Sequence, residues 1–530
     1  MSFSTYSLLL KTNDAPPPAE AAYASQLAST VAARIVAVKA ELALLEGELS
    51  GCLSVLSIAR TVPMEVLSEI FKWATPAYLD EKAREELLDL VLVCQSWRNA
   101  AMGTPALWCG VMMEPCDCFE FGHDEIDYAH KEEYGKAVAW FLRSGGSPKQ
   151  LMYKALSTPC KCYNGRRCEV THPVLVRLLR EGPQLDHLIL HVGSVACLKN
   201  FIAALGTSSL ISTVPSPWRL LRSISIVFAD NQEVGWNDSD IPSRSVFAML
   251  PPVTALGIVL PPRSNAFEDE EDSVEKPIQV PASSLERLIT FSIKWDWEGN
   301  KLFGLLALCA SLENLVVDFD LSEPFEDPGS DPVLRSVADR PITLAKLKSL
   351  RLLNGGMKIL EYLRTPQLAS LDLELNVDAP ESAEVSTNLN SFLCSSRALD
   401  SLEYLRICDL IGDHDIISVA LPPLPSLTHL VLDSSSACGY DFGGIVRPSG
   451  GQSPRRQFPS LEHVELHRLR RSHHKLMGEM AYFRRNGVTL PCMVTVSYLD
   501  DMKVSESTLR ARNPPVDGMR RVFIRVVPPV

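Results

Sequence analysis

From residue 185 onward, one six-residue pattern recurs ten times. It reads LDHLIL at 185, LRSISI at 221, VTALGI at 253, LERLIT at 285, LENLVV at 312, LKSLRL at 347, LASLDL at 368, LEYLRI at 402, LTHLVL at 427 and LEHVEL at 461. Successive units start 21 to 36 residues apart, and several intervals enclose helix-like stretches such as GNKLFGLLALCA and LNSFLCSSRAL. The apolar residues at the fourth and sixth positions alternate with the residue between them, the period of a strand with one buried face. A strand that short cannot bury its apolar face alone. One strand plus a helix or loop per unit, stacked so that neighbours cover each other, resolves the problem.

This is the logic of a leucine-rich-repeat solenoid, and the expected fold class is α/β. Regular versions place Asn or Cys three residues past the last leucine; here only Asn376 does so, and an irregular arc is expected over 181–485. A leucine-patterned α/β domain of another topology is the alternative. In such a strand the residue between the last two apolar positions faces outward. That position nominates Arg351, Asp372, Arg406 and Glu465 for contact with a protein substrate, with Ile189, Val316 and Val431 as apolar neighbours. Three segments interrupt the array as loops: the acidic run EDEEDSVEK at 268–276 and the turn-rich LSEPFEDPGSDP and RPSGGQSPRRQFPS.

At 530 residues the chain exceeds the size at which one core stops growing, so several domains or an array are expected. A net charge of −13 argues against nucleic acid as the main partner. No apolar run approaches the 18 residues of a membrane span, so no membrane partner is expected. The opening MSFSTYSLLLKTNDAPPP has too short an apolar run for a secretory signal. The 14 cysteines are therefore expected as reduced thiols in a cytoplasmic or nuclear protein.

Motifs for catalysis are absent: there is no GxSxG elbow, GxGxxG loop, P-loop or HExxH helix. Neither an enzyme nor a cofactor is expected. Cys116, Cys118, Cys160 and Cys162, in PCDC and PCKC, offer four thiols for a zinc ion, with His123, Cys168 and His172 nearby. CxC is a strained bite where CxxC is usual, so unliganded thiols are expected and zinc is the alternative. The basic stretch LHRLRRSHHK at 466–475 reads as a solvated helical segment after the last repeat. Its His473 and His474 would point about 100° apart on a helix, unsuited to a shared metal.

Residues 1–18 are expected to be disordered. Over 19–50, Ala24, Ala28, Val31, Ile35, Val38, Leu42, Leu45 and Leu49 step alternately by four and three, a heptad seam. Self-association through a coiled coil and an amphipathic helix folding back on the next domain are both open readings. Residues 61–110 predict three short helices, the first starting at Pro63 and stopping before Pro76, and a second running through LDEKAREELLDLVLVCQSWRNAAM. Fifty residues bury too little surface to enclose so many large apolar side chains, and the surplus implies a partner surface.

Residues 57–110, SIARTVPMEVLSEIFKWATP followed by LLDLVLVCQSWRNAAMGTPALW, resemble the F-box motif. The family pattern is Leu-Pro-x-Glu, an Ile-Phe pair, Val-Cys-x-x-Trp-Arg and a closing Leu-Trp. Here Glu65, Val66, Leu67, Ile70, Phe71, Val93, Cys94, Trp97, Arg98, Leu107 and Trp108 match, and Val62 stands for the usual leucine. The resemblance covers about a tenth of the chain; AWFLRSGGSPKQLMY at 139–153 also resembles the segment joining such boxes to divergent repeats. It implies a small three-helix box that docks on the Skp-type adaptor of a cullin–RING ubiquitin ligase, with the repeats holding a substrate. Pro63, Val66, Ile70, Phe71, Leu90, Val93 and Trp97 would lie at or beneath the adaptor surface, Trp97 equally as internal core. A scaffold that binds partners without ubiquitination is the alternative function. The remaining parts are expected as a cysteine-containing connector at 111–180 and a C-terminal cap and tail at 486–530.

Overall fold

The computed structural model describes residues 15–56, 61–115, 126–155, 168–206, 216–228, 241–260, 278–295, 297, 299–319, 325, 332–375, 382–408, 416–417, 420–433, 439–440, 457–469, 493–499 and 521–527. The fold is mixed α/β: an N-terminal helical region and a parallel sheet. The chain divides into two units, residues 1–75 with 85–104, and residues 76–84 with 105–530.

In the first unit, helix α1 (Pro18–Val55) runs for 38 residues. Its seam residues Val31, Ile35, Val38, Leu42, Leu45 and Leu49 are all exposed, so α1 does not bury that seam by folding back. Helix α2 (Met64–Ala74) begins one residue after Pro63, which is its N-cap, and ends where Thr75 turns extended before Pro76. The stretch expected as the second helix contains two, so that 61–110 holds three short helices. Helix α3 (Glu81–Val93) stops at Cys94, whose φ of −163° is fully extended, and α4 (Gln95–Met102) follows. Phe71 of α2 meets Trp97 of α4 edge-to-face at 5.3 Å, which joins the two helices.

Among the described residues of the second unit, fourteen strands form one parallel sheet in chain order. They are β1 (Gly110–Met113), β2 (Gln150–Tyr153), β3 (His187–Val192), β4 (Ser223–Phe228), β5 (Ala255–Val259), β6 (Thr290–Lys294) and β7 (Asn314–Asp318). Then come β8 (Ser349–Gly355), β9 (Ser370–Leu375), β10 (Tyr404–Cys408), β11 (His429–Asp433), β12 (His463–Leu469), β13 (Met493–Leu499) and β14 (Arg521–Val527). Two separate two-residue pairs, 342–343 with 363–364 and 416–417 with 439–440, stand outside this sheet.

Nine of the ten LxxLxL units do one job in this sheet. Their last two apolar positions point inward: Leu188 and Leu190, Leu315 and Val317, Leu371 and Leu373, Leu405 and Ile407 are all buried. The unit read as LERLIT at 285 is displaced by three residues, because β6 buries Phe291 and Ile293 while Ile289 is exposed. Just before each strand the backbone also bonds to the previous unit. Arg222 N donates to Asp186 O, Thr254 N to Arg222 O, Ile289 N to Thr254 O, and so on to Glu462 N on Thr428 O. The chain between strands often returns through helices, including α5 (Ile126–Arg143), α6 (Pro173–Glu181) and α7 (Val195–Gly206), packed one on the next. Helices α8 (Ala282–Leu285), α9 (Gly299–Leu306), α10 (Pro332–Asp339) and α11 (Ser382–Ser396) serve later crossovers. An aromatic knot of Phe303, Phe319, Phe325 and Tyr362 fills the middle of the unit, with ring centroids 5.0–5.9 Å apart.

The array is longer than the leucine count indicates. Its first two strands lie in or just before the segment expected as a connector at 111–180, and its last two in the expected cap and tail at 486–530. These strands are GVMM, QLMY, MVTVSYL and RVFIRVV. They keep the alternation but spend Met, Val, Tyr and Ile where the other units spend leucine. The 57–110 segment is also divided. Leu107 and Trp108 belong to the second unit, where Trp108 packs on Trp140 at 4.7 Å. Residue Leu79 pairs with Val111 on the outer edge of β1, and Gly110 permits this approach. A Cβ there would sit 1.8 Å from the Ala77 carbonyl oxygen.

Candidate functional sites on two surfaces

Helix α2 carries two apolar stripes. Leu67 and Phe71, one turn apart, are buried, Phe71 to 1% exposure. Val66, Ile70 and Trp73, at spacings of four and three, form the second stripe about 100° around the helix. They are 48%, 49% and 89% exposed. On α3 the same split recurs: Leu87 and Val91 are buried, whereas Leu88, Leu92 and Val93 are exposed. Of the residues expected at or beneath a docking surface, Pro63, Val66, Ile70 and Val93 lie at the surface. Leu90 and Trp97 are half-buried, and Phe71 is core. The two-sided oiliness of this helix is thus one stripe for its own packing and one left to solvent.

The outward row of the sheet is the second surface. Register places Arg351 of β8, Asp372 of β9 and Arg406 of β10 side by side. Asp372 bridges both arginines: Arg351 Nε lies 3.2 Å from Oδ2, and Arg406 Nη1 lies 3.1 and 3.2 Å from Oδ1 and Oδ2. Glu374, two residues along β9, adds a more distant carboxylate at 4.0 and 3.9 Å. The three nominated residues therefore satisfy one another across the ladder. Partly exposed pairs of this kind contribute roughly 0–1 kcal/mol each, so the row orders the surface more than it stabilises the fold.

Two strands further on, Glu465 sits among three imidazoles. His429 Nε2 donates to Glu465 Oε1 at 2.8 Å, and His467 Nε2 to Oε2 at 2.6 Å. His463 Nδ1 is 3.5 Å from Oε1, and the rings of His429 and His463 lie tilted by 44° with centroids 4.5 Å apart. Strand β13 supplies hydroxyls behind them: Thr495 Oγ1 is 3.0 Å from His463 Nε2, and Ser497 Oγ is 3.0 Å from His467 Nδ1. Burial pushes the Glu465 carboxyl up, but the hydrogen bonds from His467 and His429 and the field of His463 outweigh it and hold it below the usual range. Burial lowers the His463 imidazole, partly offset by Glu465. At Arg468 the chain takes a left-handed φ of +57°, and the pairing of β12 with β13 slips between Leu466 and Leu469. This bulge leaves Arg468 bonded to Asp433 of β11.

No protein-family model and no curated protein matches the chain.

Of the substrate-facing nominations, Arg351, Asp372 and Arg406 are brought together and Glu465 stands apart within the histidine group. Val431 lies between them in register but is buried. The histidines follow neither a helical metal-binding spacing nor a CxxC spacing. The signal is the alternation H-x-E-x-H at 463–467, which on a strand puts all three side chains on one face. His429 in LTHL occupies the same place as His463 in LEHV. The stretch 466–469, expected as helical, is the end of β12. His473 and His474 lie outside the described residues, as do Cys116, Cys118, Cys160, Cys162, His123 and Asn376. Cys168 and His172 are buried, the latter as the N-cap of helix α6. Among the described residues no helix is long and apolar enough to cross a membrane.

Proposed function

We propose that this chain is the substrate-recognition subunit of a Skp/cullin/F-box type ubiquitin ligase. Residues 57–104 would dock the Skp-type adaptor, and the fourteen-strand array, read as an irregular leucine-rich-repeat solenoid, would hold a protein substrate. The observation that carries the reading is the second apolar stripe of α2: Val66, Ile70 and Trp73 are solvent-exposed within a segment whose sequence resembles the F-box. A specific interface buries about 1,200–2,000 Å², and its energy concentrates in a few large apolar anchors. Trp73 is the most exposed large side chain available to serve as one. A receptor of this kind breaks no bonds; it raises the local concentration of substrate beside the charged ubiquitin-conjugating enzyme.

The test is capture of purified adaptor by the full chain. Ile70→Ala with Trp73→Ala should weaken binding at least tenfold without changing the circular dichroism spectrum. Undiminished capture by that folded variant, or by a chain lacking 57–104, refutes the docking assignment. The exposed seam of α1 favours a second reading, a self-associating scaffold. Under that reading a partner bound by the repeats keeps its cellular half-life when 57–104 are deleted; under the first, the half-life lengthens.

A further inference from the structure

We propose that His429, His463 and Glu465 form a binding site for one first-row divalent cation, of which zinc is the representative, on the outward face of the sheet. Strand register assembles the donors. His429 and His463 are direct partners across β11 and β12, and Glu465 lies two residues beyond His463 on the same face. One ligand atom from each of the three lies within 4.8 Å of the others. A zinc ion about 2.0–2.2 Å from each donor needs ligand atoms about 3.4 Å apart. The observed Glu465 separations of 2.8 Å to His429 and 3.5 Å to His463 bracket that value, and the histidine nitrogens lie within 4.8 Å of each other.

The surrounding atoms do what an outer shell does for a metal site. With His463 binding through Nδ1, its Nε2 proton is directed at Thr495 Oγ1, 3.0 Å away. Glu465 binds through Oε1, because Oε2 is held by His467 at 2.6 Å, and His467 is in turn tied to Ser497 Oγ. Two ligands are thus oriented by contacts that leave their binding atoms facing the same point. The donor set selects the ion class. Two imidazoles and one carboxylate suit first-row transition cations, whereas magnesium and calcium take oxygen ligands. Within the first row, copper(II) binds such donors more tightly than zinc, so geometry and availability decide which ion is held. Three protein ligands leave at least one coordination position, and the partial exposure of all three side chains opens it to water or to a donor atom of a bound partner.

The inference is independent of adaptor docking, since it concerns different residues and a different readout. It is tested by calorimetric titration of zinc chloride into the chelator-stripped full chain. Cys116, Cys118, Cys160 and Cys162 are replaced by serine throughout, so that those thiols cannot compete. One zinc per chain is expected. Glu465→Gln and the double variant His429→Ala/His463→Ala should each weaken binding at least 100-fold, and His467→Asn about 10- to 100-fold. Cobalt(II) in the same site should give visible absorption bands that these variants lose. Absence of stoichiometric binding by the folded parent overturns the proposal. So does unchanged affinity in folded Glu465→Gln, a near-isosteric change on the solvent face that keeps the test decisive should the double variant fail to fold.

Discussion

Lowering the pH should destabilise the second unit through His172. This residue precedes helix α6 as its N-cap and is fully buried, its ring 4.9 Å from that of His130 and 6.4 Å from Tyr153. Burial, and then the neighbouring His130, lowers its pKa from 6.5 to about 4. The folded state therefore refuses a proton that the unfolded state accepts. Stability is at its full value above pH 6.5, falls as the pH drops below that, and stops falling near pH 4, where the folded form also protonates. The whole interval corresponds to about 3 kcal/mol, and the part between pH 7 and pH 5 to about 2 kcal/mol. Amide hydrogen exchange of residues 176–181, corrected for intrinsic rates, reads the opening free energy of α6 directly. It should drop by about 2 kcal/mol between pH 7 and pH 5 in the wild type. In His172→Phe, which keeps a ring but cannot titrate, the drop should shrink to under about 0.5 kcal/mol. Equal losses in both proteins would refute the argument, because the acid sensitivity would then belong to other groups.

The two stripes of α2 should separate by stability. Phe71→Ala should cost about 3–5 kcal/mol, enough to unfold the helical unit, whereas Trp73→Ala should stay within about 0.5 kcal/mol; thermal melts followed by circular dichroism compare them. Gly110→Ala should destabilise the outer edge of β1 by about 1–3 kcal/mol, since the added methyl overlaps the Ala77 carbonyl. Faster exchange of the Met112 amide, which donates to Leu79 O at 2.9 Å, is the measurement.

Much of the sheet is legible in the leucines because a period-2 apolar pattern repeated at 21–36 residues has few other ways to bury itself. Its ends are not, because GVMM and MVTVSYL satisfy the same burial rule with different side chains, burying Val111 and Met113 and Val494 and Val496. The first helix shows a different ambiguity. Val66, Ile70 and Trp73 are as apolar as Leu67 and Phe71, and spacing alone cannot say which stripe finds a partner inside the chain. The histidine group is invisible for a third reason: it is assembled by lateral pairing of two repeats 34 residues apart. No single window contains it. Aligning LTHLVLD beneath LEHVELH, unit on unit, places His429 over His463 and brings the site into view.

Strand order equal to chain order turns the sequence into a linear scale. From Arg351 to Thr495 the outward row crosses five inter-strand steps of about 4.8 Å, a span of about 24 Å. An extended peptide needs about seven residues to cover it, and a metabolite-sized molecule would touch only two or three strands. Any ligand that reads both the arginine–aspartate triplet and the histidine group must therefore be a polymer segment or a folded surface, and its contacts must follow the order of the strands.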